Sequence, residues 1–105
     1  VLLDPRVRSW RLDDRFVIID WPGCLTRGYA MFDLVRLMLS CRCSPRRARA
    51  EIEQHCRILE CDTVDASTHL MVALGRVAMT LEHFPFERFV SMSRSCTGLL
   101  DRVGL

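Results

Sequence analysis

Two nearly uninterrupted apolar segments, 29–41 and 70–81, constrain most strongly how this chain can fold. Each is long enough for about three helical turns, and charged residues break both, Asp33 and Arg36 in the first and Arg76 in the second. Neither approaches the roughly 20 apolar residues that a bilayer span requires. Because a helix without a polar face belongs in the centre of a domain, the sequence predicts two deeply buried helices and no membrane span.

Capping signals predict two further helices. Ser44 followed by Pro45 is typical of a helix start, with serine as the N-cap and proline at the first helical position. This helix is predicted to run to Leu59 and to bury one face. Asp65 is predicted to cap the helix that contains the second apolar segment. A last amphipathic helix is predicted over Phe86–Val103.

The region before the helices is typical of strand and turn. Phe16–Ile19 is β-branched and aromatic with charge on both sides, which indicates a buried strand. A second short strand is predicted at Val1–Leu3, with residues 6–14 as a polar connection or ragged hairpin end. The fold class is therefore mainly α with a short β-hairpin. We expect a single domain over residues 1–105, with the hairpin in 1–23 and about four helices in a helical subdomain over 28–105.

Length and charge exclude several classes of function. A chain of 105 residues corresponds to about one domain. All 15 basic residues are arginine, so a P-loop lysine and a Schiff-base lysine are excluded. The net charge of +2 is too small to indicate nucleic-acid binding. No charged-then-apolar leader precedes the first strand, so we expect a cytoplasmic protein. Since the chain opens with Val1, we expect either a piece of a larger protein or a short reading frame.

The strongest chemical signal is a carboxylate at the end of the predicted buried strand. Asp20 follows Ile19 directly, and the aromatic Trp21 comes next. A single carboxylate held at a strand end suits Mg²⁺, which takes one or two carboxylates together with phosphate oxygens. The alternative interpretation is that Asp20 is a turn residue that ends the strand.

A second carboxylate, Asp33, lies inside the first apolar segment. A buried carboxylate without a partner is costly, so we expect Asp33 to bind backbone N–H groups or Arg36. The alternative is that Asp33 is a capping residue at the start of this helix.

These motifs together resemble a known family. The succession of a strand, Ile19–Trp21, a short loop containing Gly23, and then Phe32–Leu34 on an apolar helix is similar to the C-terminal lobe of aminoglycoside and choline kinase-like phosphotransferases, which share the protein-kinase fold. Lipopolysaccharide-kinase-like proteins carry a similar strand end. The resemblance implies that Asp20 is the metal ligand and binds the Mg²⁺ that bridges the nucleotide phosphates, with Trp21 beside the cofactor.

The same resemblance assigns supporting roles and identifies what this chain lacks. Asp33, with Arg36, would hold the backbone of the catalytic loop in place. The His-x-Asp-x-x-x-x-Asn catalytic loop, the glycine-rich loop and the strand lysine are absent, and Pro22 and Gly23 replace the more usual residues after the aromatic. No catalytic base is therefore predicted within the chain; it is expected upstream of Val1.

Two function hypotheses follow. The first is a kinase-like phosphotransferase lobe that uses ATP and Mg²⁺ in the complete protein, acts on a small-molecule or sugar hydroxyl, and is inactive alone. Such a truncated lobe is expected to expose apolar surface and to self-associate. The alternative is a small, non-catalytic helical module that binds a protein partner.

The six cysteines complete the set of candidate groups. With no signal peptide to indicate secretion, we expect reduced, partly buried thiols that act as small hydrophobic residues. The alternative, a zinc site, would draw four ligands from Cys41, Cys43, His55, Cys56 and Cys61.

Overall fold

The structure is a computed structural model that describes the backbone of residues 8–12 and 15–19 and the whole of 28–105 apart from the His83 side chain. Two strands, β1 (Arg8–Leu12) and β2 (Arg15–Ile19), pair antiparallel with Trp10 opposite Val17. The predicted partner strand, Val1–Leu3, lies outside the described residues. Strand β1 instead occupies part of the stretch for which a polar connection was expected.

Four α-helices make up most of the described part of the chain: α1 (Ala30–Ser40), α2 (Pro45–Leu59), α3 (Thr63–Ala78) and α4 (Phe86–Val103). One turn of 3-10 helix, Leu81–His83, precedes α4. The prediction of a mainly helical fold is thus confirmed. No described helix is long and apolar enough to cross a membrane.

The helices share one core, to which each contributes residues spaced by three or four positions. Every helix contacts the other three. The largest fully buried side chains belong to Phe32, Met31, Ile52 and Leu70. Alanines at the contacts, Ala48, Ala66 and Ala73, are fully buried as well. Their small side chains allow the helix axes to approach closely.

Local signals explain where α2 begins and ends. The Ser44 hydroxyl accepts a hydrogen bond from the Arg47 N–H (3.3 Å), and Pro45 is the first helical residue, as predicted. The helix ends at Glu60, whose φ of 53° lies in the left-handed region.

The prediction for α3 was wrong in two respects. Its N-cap is Asp62 rather than Asp65; the two residues form a capping box in which each side chain accepts a hydrogen bond from the other's backbone N–H. The helix is also not buried all round. Val64 and Met71 are 73% and 56% exposed, and Met79, the C-cap directly after the helix, is 87% exposed, because only one face packs on the core.

An arginine joins α2 to the end of α4. Arg49 donates from Nη1 to the Val103 carbonyl (2.8 Å) and from Nε to Glu53 (2.9 Å). Gly104 ends α4 with a φ of +73°, and a Cβ there would lie 3.3 Å from Arg49 Nη1. Glycine therefore suits this position both for its backbone conformation and for the room it leaves to the guanidinium.

Candidate functional site

The two residues with the sharpest predicted roles, Asp20 and Trp21, lie outside the described residues. What the structure does give is the end of the preceding strand: β2 stops at Ile19, so Asp20 is the next residue along the chain. The metal and cofactor roles of Asp20 and Trp21 stay predictions.

Asp33 lies in the first turn of α1 and is half-buried. Its backbone N–H donates to the Tyr29 carbonyl (3.3 Å). The N-cap of α1 is Tyr29, which makes no side-chain capping bond, so Asp33 is not the N-cap residue of this helix. A carboxylate here interacts favourably with the positive end of the helix dipole. The Asp33 side chain has a partner in the structure, as a half-buried carboxylate requires.

Arg36 lies one turn further along α1 and reaches α4. Its Nη1 donates to the Met92 sulfur (3.4 Å), and its guanidinium carbon lies 5.6 Å from the centre of the Phe32 ring. Burial raises the pKa of Cys96 on α4, and the nearby positive charge of Arg36 opposes part of that rise. Arg36 is thus a charged link between two core helices.

A cleft of about 360 Å³ opens between α1 and α4 beside Arg36. Its described polar lining consists of two guanidinium groups and three hydroxyl groups, from Arg36, Arg88, Ser40, Ser91 and Ser95. No carboxylate is among the described residues that line it. Guanidinium and hydroxyl groups are donors that can bind an anionic group such as a phosphate or a carboxylate.

The α1–α4 cleft was missed by sequence reasoning, and the reason is topological. Arg88, Ser91 and Ser95 share a helical spacing of three and four, which is a visible signal on α4. The opposite wall comes from α1, about fifty positions earlier, and no local pattern connects the two.

The cysteine-rich stretch does not gather into a zinc site. Within residues 28–105, no group of three or more histidine, cysteine, aspartate or glutamate side chains is placed to hold a metal ion. Cys41 is exposed and Cys43 half-buried. Among the described cysteines, Cys61 lies close enough to Cys56 to help raise the pKa of the Cys56 thiol.

Comparisons with known proteins add no relative: no family model, curated protein or solved structure matches this chain significantly. The kinase-like resemblance therefore depends on the motif residues themselves.

Proposed function

We propose that this chain is part of the C-terminal lobe of a kinase-like phosphotransferase. The observation that supports the proposal is the succession of β2, which ends at Ile19 immediately before Asp20, and α1, which carries the half-buried Asp33 in its first turn. The proposal needs a carboxylate directly after a strand and a second carboxylate on a helix that packs in the core, and both are in the required order.

In this proposal Asp20 binds the magnesium ion that bridges the nucleotide phosphates. A single carboxylate at a strand end is an adequate contribution from this segment, because Mg²⁺ is commonly bound by one or two carboxylates together with phosphate oxygens. Trp21 lies beside the nucleotide. The ion would supply charge stabilisation for the transferred phosphoryl group.

Asp33 and Arg36 are positioning residues in this proposal. Asp33 accepts hydrogen bonds from the backbone of the catalytic loop, and Arg36 fixes α1 against α4 through its contacts with Phe32 and Met92. The base that accepts the proton of the acceptor hydroxyl comes from a segment upstream of Val1. The helices from Ser44 onward shape the acceptor side.

The decisive experiment compares two aspartates at opposite ends of β2 in the complete reading frame. Asp20→Ala should abolish Mg²⁺-dependent ATP turnover, while Asp14→Ala, its matched control, should leave turnover near the unmodified level. Retention of turnover by Asp20→Ala would refute the proposal. The 105-residue chain alone should not turn over ATP, and sustained turnover by it would refute the proposal as well.

A second candidate function, a helical interaction module, is supported by the outer face of α3. Val64, Met71, Val72 and Met79 are all exposed there and fall within about 100° of the helix circumference. An in-frame His-x-Asp-x-x-x-x-Asn segment just before Val1 would favour the phosphotransferase. Partner binding by the complete protein tests the module: binding that Met71→Glu abolishes and Asp20→Ala preserves would favour it, whereas self-association of the isolated chain is expected for either function.

A further inference from the structure

The turn after α2 brings two cysteines together. Glu60 adopts a left-handed conformation and donates its N–H to the Arg57 carbonyl (3.3 Å), while the Cys61 N–H donates to the Cys56 carbonyl (3.0 Å). These two bonds form a Schellman motif, in which the residues joined by the outer bond usually make an apolar contact. Here both residues of that contact are cysteines.

The two thiols differ in access to solvent. Cys56 is only 4% exposed, and its Sγ donates to the Asp62 carbonyl (3.4 Å). Burial, reinforced by the neighbouring Cys61 thiol, raises the pKa of Cys56 from 9.0 to about 11. Cys61 is half-buried. A reagent in solution therefore meets Cys61 first.

We propose that Cys56 and Cys61 form a reversible dithiol–disulfide pair that small disulfide compounds oxidise. The hydrogen-bonded turn already holds the two Cα atoms in place on one side of the chain. A disulfide requires Cα atoms roughly 4.4–6.8 Å apart, and the 3.0 Å bond from the Cys61 N–H to the Cys56 carbonyl keeps the backbones of the two residues side by side.

The reaction proceeds in two exchange steps. The Cys61 thiolate attacks one sulfur of a small disulfide, RSSR, forming a Cys61–S–S–R bond and releasing one thiolate, RS⁻. The Cys56 thiol then loses its proton to solvent, and its sulfur attacks Cys61 Sγ, which breaks the bond to R and releases a second RS⁻. Two protein thiols are oxidised to one disulfide, and RSSR is reduced to two RSH.

Oxidation alters the connection between α2 and α3. The new bond ties the last turns of α2 to Cys61, the residue directly before the N-cap Asp62. It also removes the S–H donor that Cys56 directs at the Asp62 carbonyl. The disulfide therefore replaces a weak polar contact by a covalent link beside the capping box of α3.

The test treats the folded chain with oxidised glutathione, followed by trypsin digestion without reductant. Because all six cysteines fall in different tryptic peptides, every linkage is identified from its two peptides. The expected product joins residues 50–57, which contain Cys56, to residues 58–76, which contain Cys61, and reduction should restore both peptides. The proposal would be overturned if the peptide of residues 58–76 were joined to the peptide of residues 43–46, which contains Cys43, or if it still carried glutathione.

Matched variants separate the two steps. Cys56→Ala should retain glutathione on Cys61, since the resolving thiol is gone. Cys61→Ala should leave Cys56 at least about tenfold less modified than Cys61 is in the unchanged chain, because Cys56 is buried and burial raises the pKa of its thiol above the ordinary value. Cys43→Ala is the control and should still form the linked pair. If a variant fails to fold, the peptide map of the unchanged chain alone decides the question.

Discussion

Helices α2 and α3 are nearly equal in length and pack on the same core, yet their outer faces differ. On α2 the outer face carries charged side chains, including the pair Arg47 and Glu51, joined by a salt bridge. On α3 the outer face carries Val64, Met71 and Met79. The sequence pattern therefore predicted correctly that α2 buries one face, while it suggested that α3 was buried on every side.

The difference shows what apolar periodicity can and cannot establish. A polar face marks the exposed side of a helix, so α2 had only one way to pack. Helix α3 offers two apolar faces, and the one that packs contains Ala66, Leu70 and Ala73. The small alanines allow close approach to neighbouring helices, whereas methionine and valine on the other face would hold them further apart.

The largest loss in the free energy of unfolding is expected for substitutions on the packed faces of α2 and α3. Ile52→Ala in α2 and Leu70→Ala in α3 remove fully buried side chains, and each should lower the free energy of unfolding by about 2–5 kcal/mol. Urea denaturation measures this. Ile58→Ala, on the exposed side of α2, is the control and should cost less than about 1 kcal/mol. Equal losses of stability in Leu70→Ala and Ile58→Ala would contradict the assignment of Leu70 to a buried face and Ile58 to an exposed one.

The helix starts should differ in the same measurement. Asp62→Ala removes one half of the capping box of α3, including a 2.8 Å bond from the Asp65 N–H, and should cost about 1 kcal/mol. Ser44→Ala removes a longer bond of 3.3 Å at the start of α2 and should cost less. A larger loss for Ser44→Ala would show that the capping box contributes little to α3.

Alkaline pH should weaken α2 through Cys56. Its pKa is about 11 in the folded chain against an ordinary value of 9.0, so the folded state holds this proton more tightly. The stabilisation is fully present below about pH 9 and is lost as the pH rises through about 11. The urea midpoint should fall between pH 8 and pH 10.5, and this fall should be smaller in Cys56→Ala than in the unchanged chain. An identical fall in the two chains would contradict the raised pKa of Cys56 in the folded state.

The smallest change in the free energy of unfolding is expected for a substitution on the outer face of α3. Met71→Glu places a charge where the side chain is 56% exposed, and it should change the free energy of unfolding by less than about 0.5 kcal/mol. Gln54→Glu, on the exposed face of α2, is the matched control. If Met71→Glu destabilised the chain by several kcal/mol, this face of α3 would have to be buried.

Local chemistry accounts for the parts of the fold that were predicted correctly. Ser44 and Pro45 marked the start of α2 because their preferences arise from backbone geometry within a few residues. The partner of Arg36 on α4, Met92, could not be foreseen, since that contact depends on how two distant helices pack. The pairing of Cys56 with Cys61 follows from a left-handed Glu60, which no residue preference signals.

The bond between Arg49 and Val103 has a consequence for how the molecule opens. Terminal helical turns ordinarily fray first, but the last turn of α4 is held by a guanidinium 54 positions away in the chain. A hydrogen bond from a charged donor contributes about 1.5–3 kcal/mol. Amide protons in that turn should consequently exchange with deuterium more slowly than the same protons in Arg49→Ala, and equal rates in the two chains would show that the bond does not hold the turn.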